Sequence, residues 1–283
     1  MSSIAELLAS RSSLAAVSDT PGLDVELLLA HSLEQNRTYL KTWPEREVSA
    51  AQQQQFQTLL QRRQAGEPIA HLLGSRGFWT LDLQVNPSTL IPRPETELLV
   101  EIALEKLAAK PNALVLDLGT GTGAIALAIA SENSLWQVLG CDLQREAVAL
   151  AERNGRLNKI NNAKFLQSDW FTDIPKQQFD LIVSNPPYID ANDPHLSEGD
   201  VRFEPRSALV AGKQGLADIE HISVQAPAYL KPGAWLLFEH GYEQAEAVRA
   251  LLKAHGYVAV ATLKDIAGMD RVTLGQYAAA NEV

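Results

Sequence analysis

This 283-residue sequence has a single cysteine, no long apolar run and no excess of basic residues, and each of these features excludes some classes of protein. Its one cysteine, Cys141, lies in an apolar run, which excludes a disulfide framework and favours a reducing compartment. No apolar run approaches the roughly 18 residues that a membrane span requires, and no basic stretch precedes an apolar core at the amino terminus. We therefore expect a cytoplasmic protein with no membrane span and no signal peptide.

Acidic residues outnumber basic ones, with 34 Asp and Glu against 24 Lys and Arg and a formal net charge of −10. Such a surface does not favour the phosphates of nucleic acids unless its charges are strongly segregated. It suits a basic partner protein better, and we expect no stable binding of nucleic acid. With 46% hydrophobic residues over this length, the chain can bury the cores of one large and one small domain.

Residues 1–74 have apolar residues at helical spacing, such as Val25 and Leu28, and no cluster of titratable side chains. Ser49 and Gln52 form a capping-box pattern at the start of one of these helical segments. These features predict a small helical bundle that serves recognition and not catalysis.

The pattern changes to period two in residues 75–92, where Leu81, Leu83 and Val85 alternate with polar residues. This alternation predicts a β-hairpin that links two domains. From residue 93 to residue 283, strand-like apolar runs alternate with helical segments, which predicts an α/β domain with a parallel sheet. Ligand-binding residues of such a sheet gather at the carboxyl ends of its strands, and these positions hold Asp117, Asp142, Asp169, Trp170 and Asn185.

An apolar run that starts at Leu114 leads into an acid, three glycines that alternate with threonines, and a helical segment. The pattern predicts a strand, a tight turn and a helix start, which together form the nucleus of a nucleotide-binding unit. The glycines let the backbone approach a ligand closely and adopt positive φ. Asp142 ends the next apolar run, where a carboxylate can accept both ribose hydroxyls of an adenosine. The candidate loop comprises Asp117, Gly119, Thr120, Gly121, Thr122 and Gly123.

Two other interpretations of this loop stay open. Gly119, Gly121 and Ala124 also satisfy the dinucleotide fingerprint, in which a pyrophosphate lies at the helix amino terminus. The glycines can also form a purely structural turn. Asp117 discriminates, because a carboxylate repels a pyrophosphate and attracts the ammonium of an amino-acid group. The loop therefore resembles the S-adenosylmethionine loop of class I methyltransferases more than a nicotinamide site.

Asn185, Pro186, Pro187 and Tyr188 directly follow the apolar run at residues 179–184. Two prolines after a strand can be a simple stop signal. Three features argue for a function instead: the ligand edge of the sheet, the position after the glycine loop, and the aromatic residue. Asn-Pro-Pro-Tyr resembles the catalytic motif of methyltransferases that act on the planar nitrogens of amides and exocyclic amines.

The chemistry of a planar nitrogen explains the residue types in this motif. An amide nitrogen is a poor nucleophile because its lone pair is delocalised into the carbonyl group. Asn185 Oδ1 and the Pro186 carbonyl can each accept one of its hydrogens, and the fixed φ of proline holds that carbonyl rigidly. Tyr188 can pack on the planar group and exclude water. We predict catalytic roles for Asn185, Pro186 and Tyr188, and substrate contacts for these three and Pro187.

Over nearly its full length the chain resembles the release factor glutamine methyltransferases, the HemK/PrmC family. The stretch from Ile91 to Glu97, Ile-Pro-Arg-Pro-Glu-Thr-Glu, is far more diagnostic of this family than the glycine loop. Gly77 departs from the pattern, since the family often has an acid there, but the position belongs to the predicted hairpin. The matching stretches are residues 24–29, 68–74, 78–79, 90–97, 117–123, 185–189, 203–205, 239–241 and 270–272.

The resemblance implies a Rossmann-like class I methyltransferase domain with a mostly parallel seven-stranded sheet, joined by the hairpin to the helical bundle. It implies methylation of the side-chain amide of the glutamine in the Gly-Gly-Gln motif of class-one peptide chain release factors. It further implies that Gly119 to Gly123 and Asp142 hold S-adenosylmethionine, that Trp170 lies near the adenine, and that Asn185 to Tyr188 hold the glutamine. Taken alone, Trp170 is as compatible with a buried core position.

Two other functions compete with this one. A nucleic-acid methyltransferase that acts on exocyclic amines shares the Asn-Pro-Pro-aromatic logic, but it needs a basic cleft or recognition domain, which the acidic balance disfavours. A scaffold without activity does not need the glycine loop and the Asn-Pro-Pro-Tyr motif together. We therefore predict an enzyme, a monomer without a metal site, with no role assigned to Glu239 and His240.

Overall fold

The computed structural model describes residues 2–278, which fall into two compact units. The first consists of Met1–Ser75 with Ser197–Phe203, and the second of Arg76–Leu196 with Glu204–Val283. Residue 1 and residues 279–283 lie outside the described residues, so the outer ends of the predicted domains do too. The inner boundaries, at residues 74/75 and 92/93, stay a prediction.

The first unit is helical, and its core is built from leucines with Phe56 at the centre. Ser49 caps the longest helix of this unit. Its side chain accepts the Gln52 N–H at 3.4 Å, as the sequence pattern predicts. Gly74, with φ of +73°, ends the last of these helices, and the hairpin begins at the next residue. The helices are α1 (Ile4–Leu8), α2 (Pro21–Ser32), α3 (Arg37–Thr42), α4 (Ala50–Gln64) and α5 (Ile69–Leu73), with a 3₁₀ helix at Ala9–Leu14.

A buried ion pair lies within this unit, and its arginine also contacts a later segment of the chain. Arg63 Nε lies 2.8 Å from Asp24 Oδ2, and both side chains are only 7% exposed. Arg63 Nη1 also lies 3.2 Å from Asp200 Oδ1, which holds the segment Ser197–Phe203 against the helices. From sequence alone this segment is predicted to belong to the α/β domain. A contact between residues 137 positions apart leaves no local pattern that would indicate otherwise.

The second unit consists of a β-hairpin, a seven-stranded sheet and the helices that cover it. The hairpin strands are β1 (Ser75–Phe78) and β2 (Leu81–Gln84). The sheet strands are β3 (Leu114–Leu118), β4 (Gln137–Asp142), β5 (Ala163–Gln167), β6 (Phe179–Ser184), β7 (Leu230–Glu239), β8 (Tyr257–Lys264) and β9 (Asp270–Tyr277). The helices are α6 (Glu97–Leu107), α7 (Ala124–Glu132), α8 (Arg145–Leu157), α9 (Gly212–Gly215), α10 (Ala217–Gln225) and α11 (Ala245–Ala254).

The sheet has the strand order β5-β4-β3-β6-β7-β9-β8, and β9 alone is antiparallel to both of its neighbours. The central strands are apolar on both faces, because helices cover both. Val115 and Val183 pack into the cluster that contains α6 and α7, whereas Leu116 and Ile182 pack into the cluster that contains α10. The predicted Rossmann-like α/β fold class is thus confirmed. Among the described residues, no helix is both long and apolar enough to cross a membrane.

Two element boundaries differ from the sequence prediction for reasons that involve proline and glycine. The sequence pattern predicts a helix over residues 217–230, but α10 ends at Gln225, because Pro227 cannot continue the helix and the chain goes on as a 3₁₀ turn. The apolar residues at 234–238 predict a strand, but β7 begins earlier, at Leu230. Pro and Gly at 232 and 233 indicate a turn in sequence, but the sheet accommodates them in a register shift opposite Phe179 and Leu181.

Two asparagines on one face of α8 hold the open edge of β2. Asn154 accepts the Gln84 N–H at 2.8 Å and donates to the Gln84 carbonyl at 3.1 Å, and Asn158 does the same to Asp82 at 3.3 and 3.0 Å. Asn154 Nδ2 also donates to the Thr122 carbonyl at 2.9 Å. Asn154 is fully buried, and its side chain binds backbone groups of both the hairpin and the glycine loop. One side chain therefore positions both.

We predict that Asn154→Ala destabilises the protein by about 1–3 kcal/mol, because it leaves a buried N–H and two carbonyls without a partner. Asn158→Ala is the matched control, and its partially exposed position allows water to replace the side chain at lower cost. Urea unfolding of both variants measures the difference. Equal losses for the two asparagines would contradict this account.

Candidate active site

A cavity of about 360 Å³ opens at the carboxyl ends of β3, β4 and β6, where the sequence analysis expected ligand residues. Nine of the predicted site residues line it: Gly119, Thr120, Gly121, Thr122, Asp142, Asp169, Trp170, Asn185 and Pro187. Four others do not: Asp117, Gly123, Pro186 and Tyr188. The topology therefore brings most of the candidates to one place, and the exceptions indicate different roles.

The glycine loop is a tight turn whose backbone conformation requires glycine. Gly119, Gly121 and Gly123 have φ of +73°, +55° and +81°, a region that residues with a Cβ rarely adopt. At Gly123 a Cβ would also lie 3.0 Å from the Cβ of Ala151, so this glycine lets α7 pack closely on α8. Gly119 and Gly121 thus shape the cavity wall, whereas Gly123 serves helix packing.

Asp117 is fully buried beneath the loop and does not reach the cavity surface. Thr120 Oγ1 donates to its Oδ2 at 2.6 Å, and Oδ1 has no hydrogen-bond partner of ordinary geometry among the described residues. Burial raises the pKa of Asp117 to about 7, against the opposing effect of the Thr120 hydrogen bond. A positive charge near Asp117 would favour the ionised form of this carboxyl group.

Asp142 lines the cavity at the end of β4 and is held in a fixed orientation by two backbone groups. Its Oδ2 accepts the Gly121 N–H and its Oδ1 accepts the Gln144 N–H, each at 2.9 Å. Burial raises the pKa of this carboxyl, although both hydrogen bonds oppose the shift. Each oxygen accepts one hydrogen bond, so lone pairs stay available for a pair of hydroxyl groups.

Trp170 is half-buried and forms part of the cavity wall. It is therefore not the buried core tryptophan that the sequence alone also allows. Its ring approaches Gly119, where an added Cβ would lie 3.6 Å from the ring carbon Cζ3. Its backbone has φ of +47°, and the Ser168 hydroxyl donates to its carbonyl at 2.8 Å. Asp169 is exposed at the rim beside it.

The Asn-Pro-Pro-Tyr motif divides between the cavity wall and the protein interior. Asn185 and Pro187 line the cavity, and Asn185 Nδ2 donates to Thr96 Oγ1 at 3.3 Å. The Tyr188 hydroxyl donates to Glu239 Oε1 at 3.3 Å, and burial raises the pKa of this tyrosine. Tyr188 is thus half-buried with its hydroxyl bound to Glu239, and its predicted stacking on a planar substrate stays a prediction.

Sequence reasoning missed several residues of the cavity wall that lie far from both motifs. Thr89, which is 2% exposed, has a buried hydroxyl without a partner among the described residues. Thr96 lies within the diagnostic stretch, but its sequence signal was that of a helix start. Asp218 carries a pKa raised by burial and lies near the charge of Asp169. No local pattern could have found Asp218, because a long connection separates it from the motifs.

Among residues 2–278, no group of three or more His, Cys, Asp or Glu side chains is placed to hold a metal ion. The polar side chains of the cavity wall are instead carboxylates, hydroxyls and the amides of Gln144 and Asn185. Such a set can bind hydroxyls and an ammonium, and the aromatic and aliphatic wall can hold a flat ring.

Known proteins match the chain along almost all of its length. Residues 7–74 match the family described as "PrmC N-terminal domain", and residues 95–199 match "Methyltransferase small domain". The release factor glutamine methyltransferase of Aliivibrio fischeri is 56% identical over 266 residues, which is 93% of each chain. That of Vibrio cholerae is 58% identical over 261 residues, which is 92% of this chain and 91% of the relative.

A solved structure supports the fold independently. A methyltransferase from Pyrococcus furiosus superimposes with a TM-score of 0.55 and 18% identity, over 79% of this chain and 98% of that one. At this identity the likeness shows the fold alone. The relatives from Aliivibrio and Vibrio show more, because identity above one half extends over nearly the whole chain. The chain therefore belongs to the release factor glutamine methyltransferase family.

Proposed function

We propose that this protein methylates the side-chain amide nitrogen of the glutamine in the Gly-Gly-Gln motif of class-one peptide chain release factors. The products are N(5)-methylglutamine and S-adenosylhomocysteine. One observation carries the proposal: Asn185 stands in the cavity wall with its Nδ2 bound to Thr96, which leaves Oδ1 as an acceptor for an amide hydrogen. We also propose a monomeric, cytoplasmic enzyme that binds no nucleic acid stably.

The cavity residues fit S-adenosylmethionine. Asp142 has lone pairs for both ribose hydroxyls, and Trp170 with the aliphatic wall suits the adenine ring. Among the described residues, Asp117 Oδ1 and the Thr89 hydroxyl have no hydrogen-bond partner, which suits an ammonium group at the first and a further polar atom at the second. When bound, the cofactor supplies a methyl group on a positively charged sulfur.

The motif residues prepare the amide nitrogen. Asn185 Oδ1 accepts one amide hydrogen, and the Pro186 carbonyl is the proposed acceptor of the second. Together they hold the nitrogen with its lone pair turned out of conjugation, which is a positioning effect worth up to roughly 7–11 kcal/mol in well-aligned systems. No base of the protein is required, because methyl transfer leaves a positively charged, N-protonated methylamide, which is strongly acidic and releases one hydrogen as a proton to water. The proposed role of the helical residues 1–74 is to bind the protein substrate.

Incubation with labelled cofactor tests the proposal directly. A release factor, the same factor with the motif glutamine replaced by alanine, and a nucleic-acid mixture are the three acceptors to compare. We expect label in the intact factor and in neither of the others. Label in nucleic acid would instead favour the exocyclic-amine activity, and label in the glutamine-free factor would place the target elsewhere.

We predict that Asp142→Ala weakens cofactor binding by about 1.5–3 kcal/mol, because hydrogen bonds to an ionised group are lost. Calorimetric titration with S-adenosylhomocysteine measures this change. Glu146→Ala is the matched control, since it removes a neighbouring exposed carboxylate outside the cavity wall. An unchanged dissociation constant for Asp142→Ala would place the ribose elsewhere.

We predict that cofactor affinity rises as the pH increases through about 7, because Asp117 must lose its proton to attract the ammonium. It should fall again above roughly 8, where an α-amino group loses its charge. Asp117→Asn should abolish the first dependence and keep the second. Calorimetry from pH 6 to pH 9 with both proteins tests this, and an identical profile for the variant would contradict it.

The same raised pKa has a consequence for stability. A carboxyl group whose pKa is higher in the folded state contributes stability at low pH, which is lost as the pH rises through the folded value. The window therefore extends from the ordinary aspartate pKa to about 7. At pH 8 the ligand-free Asp117→Asn variant should consequently melt at a higher temperature than the unmodified protein.

We predict that Asn185→Ala lowers turnover roughly 10²–10³-fold, by analogy with the loss of one preorganised polar partner. It should fold and keep most of its cofactor affinity. Asn185→Asp keeps an acceptor but adds a charge, so it should bind the cofactor more tightly and still be slow. Single-turnover rates at saturating cofactor separate these effects, with Asn158→Ala as a control. Turnover of Asn185→Ala within about tenfold of the unmodified protein would exclude the acceptor role.

A further inference from the structure

A buried carboxyl group lies behind the Asn-Pro-Pro-Tyr motif, outside the cavity wall. Glu239 ends β7 and is 2% exposed, and the Tyr188 hydroxyl donates to its Oε1 at 3.3 Å. The Thr96 hydroxyl lies near this carboxyl group and opposes the rise of its pKa. Its other oxygen, Oε2, has no hydrogen-bond partner among the described residues. Two hydroxyl groups therefore lie beside one buried carboxyl group, and one of them donates to its Oε1.

Thr96 connects this carboxyl group to the cavity. The residue is 4% exposed and lies where the 3₁₀ turn Pro94–Thr96 leads into α6. Its Oγ1 accepts from Asn185 Nδ2 at 3.3 Å. Asn185, Thr96 and Glu239 thus form a chain of hydrogen-bonding groups, although 89 residues separate Thr96 from Asn185 along the sequence.

The direction of this chain follows from the number of donors. A threonine hydroxyl has one hydrogen, and Glu239 attracts it because a carboxylate can only accept. Thr96 Oγ1 then presents lone pairs to Asn185, so the asparagine must turn its NH₂ group inward. Its Oδ1 is consequently directed toward the cavity, which is the orientation that accepts an amide hydrogen.

The protonation state of Glu239 does not change this direction. Burial raises its pKa, and the nearby Arg271 opposes the shift less strongly than the Thr96 hydroxyl does. Any proton on the carboxyl group belongs on the partnerless Oε2, because Oε1 accepts from Tyr188. Oε1 thus stays an acceptor in both states.

We propose that Thr96 and Glu239 are positioning residues that fix the side-chain amide of Asn185 with Oδ1 toward the substrate, and that Glu239 also anchors Tyr188. The inference rests on the proposed function, in which Asn185 accepts a hydrogen of the target amide. Glu239 does not line the cavity, so it does not exchange protons with the substrate directly.

Thr96→Val tests the orientation, because it keeps the size of the side chain but removes the hydroxyl. An asparagine free to turn over presents its NH₂ group to the NH₂ group of the substrate for part of the time. We expect kcat to fall on the order of tenfold to a hundredfold, with KM for release factor and cofactor affinity nearly unchanged. Thr96→Ser keeps the hydroxyl and should restore kcat. Thr58→Val, at an exposed position, is the control for the effect of replacing a threonine by a valine.

Two variants test Glu239, because its role as a hydrogen-bond acceptor must be distinguished from a role as an acid or a base. Glu239→Gln keeps an oxygen that accepts from both hydroxyls, so kcat and its pH profile should stay close to those of the unmodified protein. Glu239→Leu removes the acceptor and should lower kcat as Thr96→Val does. The double variant Thr96→Val with Glu239→Leu should lose no more than either single change, because both act through the same amide.

A readout without turnover separates this inference from the proposed function. Hydrogen exchange of the Asn185 side-chain NH₂, followed by NMR and assigned with Asn185→Ala, should be slowed in the ligand-free protein and fast in Thr96→Val. If the unmodified protein does not methylate release factor but shows this protection, the proposed function fails and the orientation stands. Undiminished kcat in Thr96→Val, equal losses in Thr96→Val and Thr96→Ser, or an inactive Glu239→Gln would each overturn the positioning role.

Discussion

The pairing of β3 between β4 and β6 is the constraint on which the rest of the site depends. Parallel pairing brings the carboxyl ends of the three strands to one edge, so Asp142 and Asn185 meet around the glycine loop. The strands can stay parallel only because helices cover both faces, which explains why β6 is buried along its whole length. Loss of this pairing would separate the proposed cofactor residues from the Asn-Pro-Pro-Tyr motif.

Two carboxyl groups are buried near this edge, and the structure uses them differently. Asp117 is held by Thr120, and its Oδ1 has no hydrogen-bond partner among the described residues, which suits the proposed contact with an ammonium group. Glu239 receives the Tyr188 hydroxyl and lies near Thr96, and its proposed task is to orient neutral groups. Burial raises the pKa of both, but in the proposed function only Asp117 has a charged ligand that would stabilise its ionised form.

The sequence was sufficient for the elements and for most of the cavity. Apolar runs located the strands, and Phe179–Ser184 matches its prediction at both ends. Patterns misplaced the start of β7, where a register shift absorbs Pro232 and Gly233. They also missed Thr89 and Asp218, because a single threonine or aspartate in a connection has no periodic or motif context.

The sequence by itself determined the family, the order of the two motifs and the chemistry that they support. The backbone freedom of glycine, the fixed φ of proline and the hydrogen-bonding amide of asparagine belong to the residues themselves and do not depend on their neighbours. The tertiary structure decided where each side chain points. It turned Tyr188 toward Glu239, placed Asp117 beneath the loop, and brought Thr96 to Asn185. Such contacts join residues many positions apart, and they depend on how strands and helices pack, which no local pattern records.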